Sequence, residues 1–374
     1  MISHVTRLFR LSFGFAFLIL ASFLPASTAL RAQTAAPATD SILPGPKPPD
    51  VSTDWKHLVG IYAHGKETVI IRERDRGLFW RASANPKLPA AQVSEATITA
   101  EPLGSFLLMR SGLNDIPISL DKESNKSVTA VTVGSTTFIR SDAGSDAGHF
   151  YHVTPAQPVS DLREKALKLS PPREPGSFRK PDLIELATLD PLIHLDIRYA
   201  SARNFLSTPV YTEARAFLQR PAAEALLRVL HKVQPLGYGL LIHDAYRPWY
   251  VTKIFWDATP PEGKIFVADP QKGSKHNRGC AVDLTLYDLA TGHAIEMPGL
   301  YDEMSPRSFP NFPGGTSLQR WHRDLLRRAM ESEGFTVNED EWWHFDYKDW
   351  KQYGVLNVPF EKIAVSQQPT AVGH

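Results

Sequence analysis

The feature that most constrains this chain is residues 273–286, GSKHNRGCAVDLTL, because it combines a turn, a strand and two candidate metal ligands. Gly279 permits a turn between His276 and the strand. From residue 281 onward the side chains alternate with period two, so Asp283 should stand on one face with an apolar face behind it. The stretch therefore predicts a packed strand that carries a carboxylate close to an imidazole.

A second motif, Glu341-Trp342-Trp343-His344, adds another imidazole with a carboxylate three residues before it. Two imidazoles and one carboxylate, with a fourth position open to water, are what hydrolytic zinc requires. We predict His276, Asp283 and His344 as ligands of one Zn²⁺ per chain, and Glu341 as the base that takes the proton of the water. Any one of these residues alone is better explained as a hydrogen-bonded structural residue. The combined spacing S-x-H-x(6)-D and E-x-x-H favours the metal site, which by its chemistry also accepts cobalt, nickel or iron.

Arg247 follows an apolar strand predicted at residues 238–243. Arginine keeps its proton and offers a planar fork of donors, so beside a metal it could stabilise the oxyanion of a tetrahedral intermediate. The alternative is a surface salt bridge with Asp244 or Asp257.

Composition excludes several classes of protein. The 374 residues carry 41 Lys and Arg against 40 Asp and Glu, so no global charge attracts nucleic acid or an anionic membrane. The sequence has no G-x-S-x-G elbow and no glycine-rich phosphate loop, which argues against serine hydrolases and nucleotide-binding enzymes. The single cysteine, Cys280, excludes an internal disulfide, and we interpret it as a small buried residue rather than a ligand.

Residues 1–29 are typical of a signal peptide, with arginines, an apolar run and a small-residue cleavage site. The run of about 14 residues is too short for a stable membrane span. We therefore expect an exported protein, periplasmic or secreted, with an uncleaved anchor as the alternative.

Changes of pattern along the rest of the chain predict the domain organisation. The fold class we expect is α+β, a mixed catalytic domain with a central antiparallel sheet flanked by helices, preceded by a small all-β domain. The β domain, a meander or partly open barrel, should dock or stabilise rather than form a second active site. The predicted segments are a disordered linker (30–53), the all-β accessory domain (54–142), a linker with one short helix (143–178), the catalytic domain (179–360) and a disordered tail (361–374).

Within the catalytic domain, residues 193–199 and 238–243 are predicted as strands. Apolar residues at helical spacing predict helices at 221–233, 249–257 and 316–334, and the last of these is capped by Thr316.

Four motifs between residues 195 and 347 make the chain similar to the VanX-type D-alanyl-D-alanine dipeptidases, which share a fold with zinc D,D-carboxypeptidases. In order they are LDIRYA with Asn204-Phe205, GYGLLIHDAYRP, SKHNRGCAVDLTLY and EWWHF. The resemblance implies the ligand, base and arginine roles given above. It also implies that Asp302 pairs with the free ammonium of a dipeptide, and that Tyr199 and Ser274 line the substrate pocket.

The function expected from these motifs is zinc-dependent hydrolysis of D-Ala-D-Ala-type dipeptides in cell-wall peptide turnover. One alternative is a D,D-carboxypeptidase or endopeptidase acting on peptidoglycan stem peptides, because the same metal chemistry serves both reactions. An alternative of another class is a non-catalytic wall-binding protein that contacts peptidoglycan through its β domain. The expected partner is a small D,D-dipeptide, and nucleic acid is not expected.

Overall fold

The computed structural model describes residues 41–82, 95–100, 106–111, 114–122, 128–141, 152–303 and 305–363. The predicted signal peptide, the first part of the predicted linker and residues 364–374 lie outside the described residues. Among the residues described, none of the helices combines the length and the apolar character needed to cross a membrane.

The N-terminal part of the structure is a closed barrel of eight strands, preceded by the short helix α1 (Thr53–Leu58). Each strand pairs antiparallel with the next in the chain, and β1 closes the barrel on β8. The β domain predicted as a meander or partly open barrel is a closed barrel. The strands are β1 (Gly60–His64), β2 (Glu67–Arg74), β3 (Gly77–Ala82), β4 (Glu95–Ala100), β5 (Phe106–Ser111), β6 (Asn114–Lys122), β7 (Val128–Val133) and β8 (Thr136–Arg140).

The C-terminal part mixes helices with a five-stranded sheet of order β10, β12, β13, β15, β14, and β9 pairs separately with β11. Its strands are β9 (Leu183–Glu185), β10 (Ile193–Leu195), β11 (Phe217–Gln219), β12 (Tyr238–Asp244), β13 (Ala281–Asp288), β14 (Phe335–Val337) and β15 (His344–Tyr347). Its helices are α2 (Val159–Leu167), α3 (Arg220–Val233), α4 (Trp249–Ala258) and α5 (Ser317–Glu331).

The prediction of an antiparallel central sheet was wrong at one edge, where β10 runs parallel to β12. The chain passes through β11 and α3 between these two strands, and a long crossover of this kind brings the second strand back in the same direction.

The predicted strand at 193–199 ends after three residues. Asp196 N still donates to Ile242 O at 2.8 Å, but Arg198 then bonds to the Asp196 carboxylate and the chain turns. This turn places the Tyr199 side chain in the core.

Part of the segment predicted as a disordered linker has a defined place. Ile42 is buried in the core of the C-terminal part, and Trp321 Nε1 donates to Gly45 O at 2.9 Å. The Trp321 indole and the apolar core of the C-terminal part therefore hold residues that composition alone predicted to be disordered.

The strand β13 lies at the centre of the sheet and carries the core on one face. Leu284 is fully buried in one cluster with Leu230 of α3 and Leu326 of α5. Thr316 caps α5 through a reciprocal pair of hydrogen bonds with Gln319. The helices thus cover the apolar face of the sheet, and the other face is left for the polar residues of the site.

We predict that Leu326→Ala lowers the free energy of unfolding by about 2–5 kcal/mol, because it removes buried methyl groups and leaves a cavity. The matched control is Arg327→Ala on the same helix, whose half-exposed ion pair with Glu331 contributes within roughly 0.5 kcal/mol. Urea unfolding measures both variants. Equal midpoints for the two would contradict this packing.

Candidate metal and substrate site

Side chains from three separated segments converge on one point. His276 Nε2 lies 3.1 Å from His344 Nδ1 and 3.4 Å from Asp283 Oδ1, and His344 Nδ1 lies 3.0 Å from Asp283 Oδ1. All three residues are buried, and they form a group that could hold a metal ion. The three predicted ligands are therefore brought together in the structure.

The spacing and chemistry of this group suit a divalent cation. Bonds of about 2.0–2.1 Å to a tetrahedral Zn²⁺ place neighbouring ligand atoms roughly 3.3–3.4 Å apart, close to the edges of the triangle. Asp283 Oδ1 is buried and accepts no hydrogen bond of good geometry from any described residue. Burying a carboxylate oxygen without a hydrogen-bond donor opposes folding unless a cation lies beside it. The two imidazoles and the carboxylate thus fit a bound metal.

Strand pairing explains why Asp283 and His344 meet. In the antiparallel pair of β13 and β15 these two residues are direct cross-strand partners, so their side chains project side by side from the same face. On the other side of β13, Asp283 is opposite Asp244, after a bulge in β12. Strand pairing therefore places Asp283 between Asp244 and His344.

His276 is placed by a short 3₁₀ turn that ends at Gly279, whose φ of +68° favours glycine. A Cβ at Gly279 would also lie 2.6 Å from Leu183 Cδ2. The ring nitrogen His276 Nδ1 lies 2.6 Å from the carbonyl oxygen of Ala245. This hydrogen bond makes Nδ1 the donor and leaves Nε2 as the atom that faces the other ligands.

The outer nitrogen of His344 is held by a carboxylate. His344 Nε2 lies 2.9 Å from Asp346 Oδ1, and Lys275 Nζ donates to Asp346 Oδ2 at 2.5 Å. Burial lowers the pKa of His344, but Asp283 and Asp346 outweigh burial and raise it to about 10. Burial would raise the pKa of Asp283, but His276 and His344 hold it well below its usual range. The carboxylates therefore stabilise positive charge on His344, and the imidazoles stabilise negative charge on Asp283.

Arg247 lies beside the ligands in an ion pair with Asp244. Its Nε donates to Asp244 Oδ2 at 2.9 Å, and its Nη2 lies 3.9 Å from Asp283 Oδ2. Burial lowers the pKa of Arg247, but Asp244 and other neighbours raise it well above its usual value, so the guanidinium stays charged. The salt bridge considered as an alternative does exist, but it is buried and lies in the site rather than at the surface.

Glu341 approaches the ligand triangle from the side. Its Oε2 accepts a hydrogen bond from Asn338 Nδ2 at 3.1 Å and lies 3.5 Å from His344 Nδ1. Burial raises the pKa of Glu341, which makes its carboxylate a better proton acceptor than an exposed one.

Asp302 lies on a loop after β13, with φ of +57°, an uncommon conformation for a residue other than glycine. Tyr199 donates its hydroxyl to Asp302 Oδ2 at 2.9 Å. Burial raises the pKa of Asp302 to about 7, with a further contribution from the Asp283 carboxylate. This carboxylate is therefore poorly solvated and would gain from a cationic partner.

One cleft of about 420 Å³ is lined by every residue predicted for the site. Cys280 lies apart from the ligand triangle, buried in the core, where burial raises the pKa of its thiol to about 12. The predicted residues that line the cleft are Tyr199, Arg247, Ser274, His276, Asp283, Asp302, Glu341 and His344.

Sequence reasoning missed the residues that orient these side chains. Asp346 follows His344 by two positions on a strand, a spacing that indicates a shared face and could have revealed it. Tyr301 donates to Asp283 Oδ2 at 3.1 Å, and Asn338 supports Glu341. These last two contacts come from loop paths, which leave no periodic signal in the sequence.

Part of the chain matches a family of known peptidases. A model of the M15 peptidase family, described as D-ala-D-ala dipeptidase, matches residues 179–366, about half of the chain. A D-alanyl-D-alanine dipeptidase of Escherichia coli strain K12 is 35% identical over 179 residues, which cover 48% of this chain and 91% of that protein.

Two further D-alanyl-D-alanine dipeptidases are similar to part of this chain. The protein of Enterococcus faecalis is 34% identical over 43% of this chain and 90% of its own length. The protein of Streptomyces coelicolor is 33% identical over 42% of this chain and 87% of its own length. The chain therefore belongs to the D-Ala-D-Ala dipeptidase family of M15 peptidases, and it is an enzyme of the metallopeptidase type.

Proposed function

We propose that this chain hydrolyses D-Ala-D-Ala-type dipeptides with one Zn²⁺ held by His276, Asp283 and His344. The observation that carries the proposal is the triangle of ligand atoms with edges of 3.0–3.4 Å in a cleft. Glu341 and Arg247 line the same cleft. A purely structural zinc site is usually closed by four protein ligands and needs neither a base nor a neighbouring arginine.

A divalent cation bound to these ligands would supply Lewis acidity that activates water and polarises the scissile carbonyl. Glu341 is the base in this mechanism: it takes the proton of the attacking water and returns it to the leaving amine. Arg247 directs its charged guanidinium toward the carbonyl oxygen and stabilises the negative charge that develops there. Asp244 holds the guanidinium in this orientation through the ion pair at 2.8 Å.

Asp302 supplies selectivity for dipeptides in this proposal. Its half-buried carboxylate accepts a hydrogen bond from Tyr199 and is poorly solvated, so a substrate ammonium would relieve its desolvation. An N-blocked peptide brings no such charge and leaves the carboxylate unpaired, which is how a buried polar group rejects an analogue. Tyr199 and Ser274 complete the wall of the pocket.

The second candidate is a D,D-carboxypeptidase or endopeptidase that trims peptidoglycan stem peptides with the same metal chemistry. The carboxylate of Asp302 in the cleft favours the dipeptidase, because a longer chain offers no ammonium at that position. The same proposal includes export to the periplasm or outside the cell and a role in cell-wall peptide turnover. It also gives the β-barrel an accessory role, with peptidoglycan as its candidate partner.

We expect Glu341→Gln to retain the metal and to lose turnover of D-Ala-D-Ala by about 10²- to 10⁴-fold, because the amide cannot accept the proton of water. Metal content and initial rates are measured on the same samples. The matched control is Glu339→Gln, an exposed acid two residues away. Full activity in the Glu341 variant would refute its role as the base.

We expect Asp302→Asn to raise KM for D-Ala-D-Ala about tenfold or more, because the charge that pairs with the ammonium is lost. Hydrolysis of N-acetyl-D-Ala-D-Ala should be poor in the wild type and no worse in the variant. Asp340→Asn, an exposed acid of the same cleft, serves as control. A wild-type preference for the acetylated substrate would favour the carboxypeptidase instead.

A further inference from the structure

We infer that the outer face of the β-barrel holds the loop that carries Asp302 and Tyr301, so that barrel residues act as positioning residues for substrate binding. The described residues of this loop are 298–303 and 305–316, and they are called here the site loop. The expected effect on substrate binding rests on the proposed role of Asp302. The attachment of the loop to the barrel rests on contacts alone.

The first contact is an apolar cluster between the barrel and the site loop. Ile61 of β1 and Ile70 of β2 pack against Phe312, and all three side chains are almost fully buried. Phe309, partly buried, joins the same cluster. A Cβ at Gly314 would lie 3.1 Å from Ile70 Cγ2, so the backbone of the loop approaches the barrel closely at this position.

Adjacent residues of β2 lie on opposite faces of the barrel wall, one in this cluster and one in the barrel interior. Ile71 belongs to the core inside the barrel, together with Tyr62 and Val131, whereas Ile70 belongs to the cluster with Phe312. Successive side chains of a strand point to opposite faces, which explains the division. The outer face of the barrel at β2 is therefore a contact surface for the site loop and not a solvent face.

Hydrogen bonds extend the contact along β2. Arg72 Nη1 donates to Pro313 O at 3.2 Å, and Glu73 N donates to Gly315 O at 3.2 Å. Glu73 Oε2 also accepts from the backbone N–H of Ser317, the first residue of α5, at 2.6 Å. A carboxylate at this helix end is favourable because it pairs with an otherwise unsatisfied donor. The barrel thus fixes the end of the site loop and the start of α5.

The other half of the site loop is folded on itself. Leu300 N donates to Glu303 Oε2 at 2.8 Å, and Arg307 Nε donates to Pro298 O at 2.9 Å. Asp302, with its positive φ, lies within this compact segment, and such a conformation persists only where the surroundings hold it. Anchoring residues 309–316 on the barrel therefore also restrains the backbone of Asp302.

The site loop contacts the catalytic centre at two further places. Tyr301 donates to the predicted ligand Asp283, and Ser308 O accepts from Trp342 N at 2.8 Å, next to Glu341. A displacement of the loop would therefore move both the Asp302 carboxylate, which is proposed to bind the substrate, and the segment that carries the proposed base Glu341.

The test uses the full chain with Ile70→Ala, and with Glu73→Ala as a second interface variant in case the first fails to fold. Ile71→Ala is the matched control, since it makes the same substitution one residue away inside the barrel. Hydrogen–deuterium exchange of residues 299–303 and KM for D-Ala-D-Ala are measured at a temperature below the thermal unfolding midpoint of each variant.

We expect both interface variants to speed exchange in residues 299–303 and to raise KM about tenfold, with kcat changed less, because small misplacements of binding groups are costly. Ile71→Ala should lower the unfolding midpoint without changing either quantity. Unchanged exchange in both interface variants, or an equal change in Ile71→Ala, would overturn the inference. If Asp302→Asn does not alter KM, the proposed role of Asp302 fails, and exchange alone decides whether the barrel holds the loop.

Discussion

The structure of the C-terminal part depends on how one buried carboxylate is compensated. Asp283 lies in the middle of a sheet between Asp244 and His344, where an uncompensated charge would oppose folding. Two imidazoles and the guanidinium of Arg247 surround it, and each of them is fixed by a further partner, Ala245 O, Asp346 or Asp244. The same arrangement that compensates the carboxylate also brings together three side chains that could hold a metal ion.

Much of the site could be predicted because its chemistry lies in short motifs. The alternation around Asp283 gave its strand and its face, and the spacing of Glu341 and His344 indicated a base beside a ligand. The supporting residues could not be predicted in the same way. Asp244 was recognised only as a salt-bridge partner, because its position opposite Asp283 depends on the pairing of β12 with β13 and not on local pattern. Tyr301 reaches Asp283 from a loop whose path depends on tertiary contacts.

The fold shows the same division between local and long-range information. The helix at Thr316 was predicted with its cap because capping is local, whereas the parallel β10 depends on a crossover through α3. Closure of the barrel requires pairing of β1 with β8, which are far apart in the chain. The contact of Ile70 with Phe312 is also long-range, and it joins the barrel to the loop that carries Asp302, whereas the sequence suggested only a docking or stabilising module.

Zinc K-edge X-ray absorption on the full chain with one equivalent of Zn²⁺ tests most directly whether His276, Asp283 and His344 bind one metal ion. We expect tight binding of one ion with only nitrogen and oxygen neighbours at about 2.0–2.2 Å, two of them imidazoles. His276→Ala should abolish this signal. A sulfur neighbour near about 2.3 Å, which only Cys280 or a methionine could supply, or a spectrum unchanged in His276→Ala, would contradict the account.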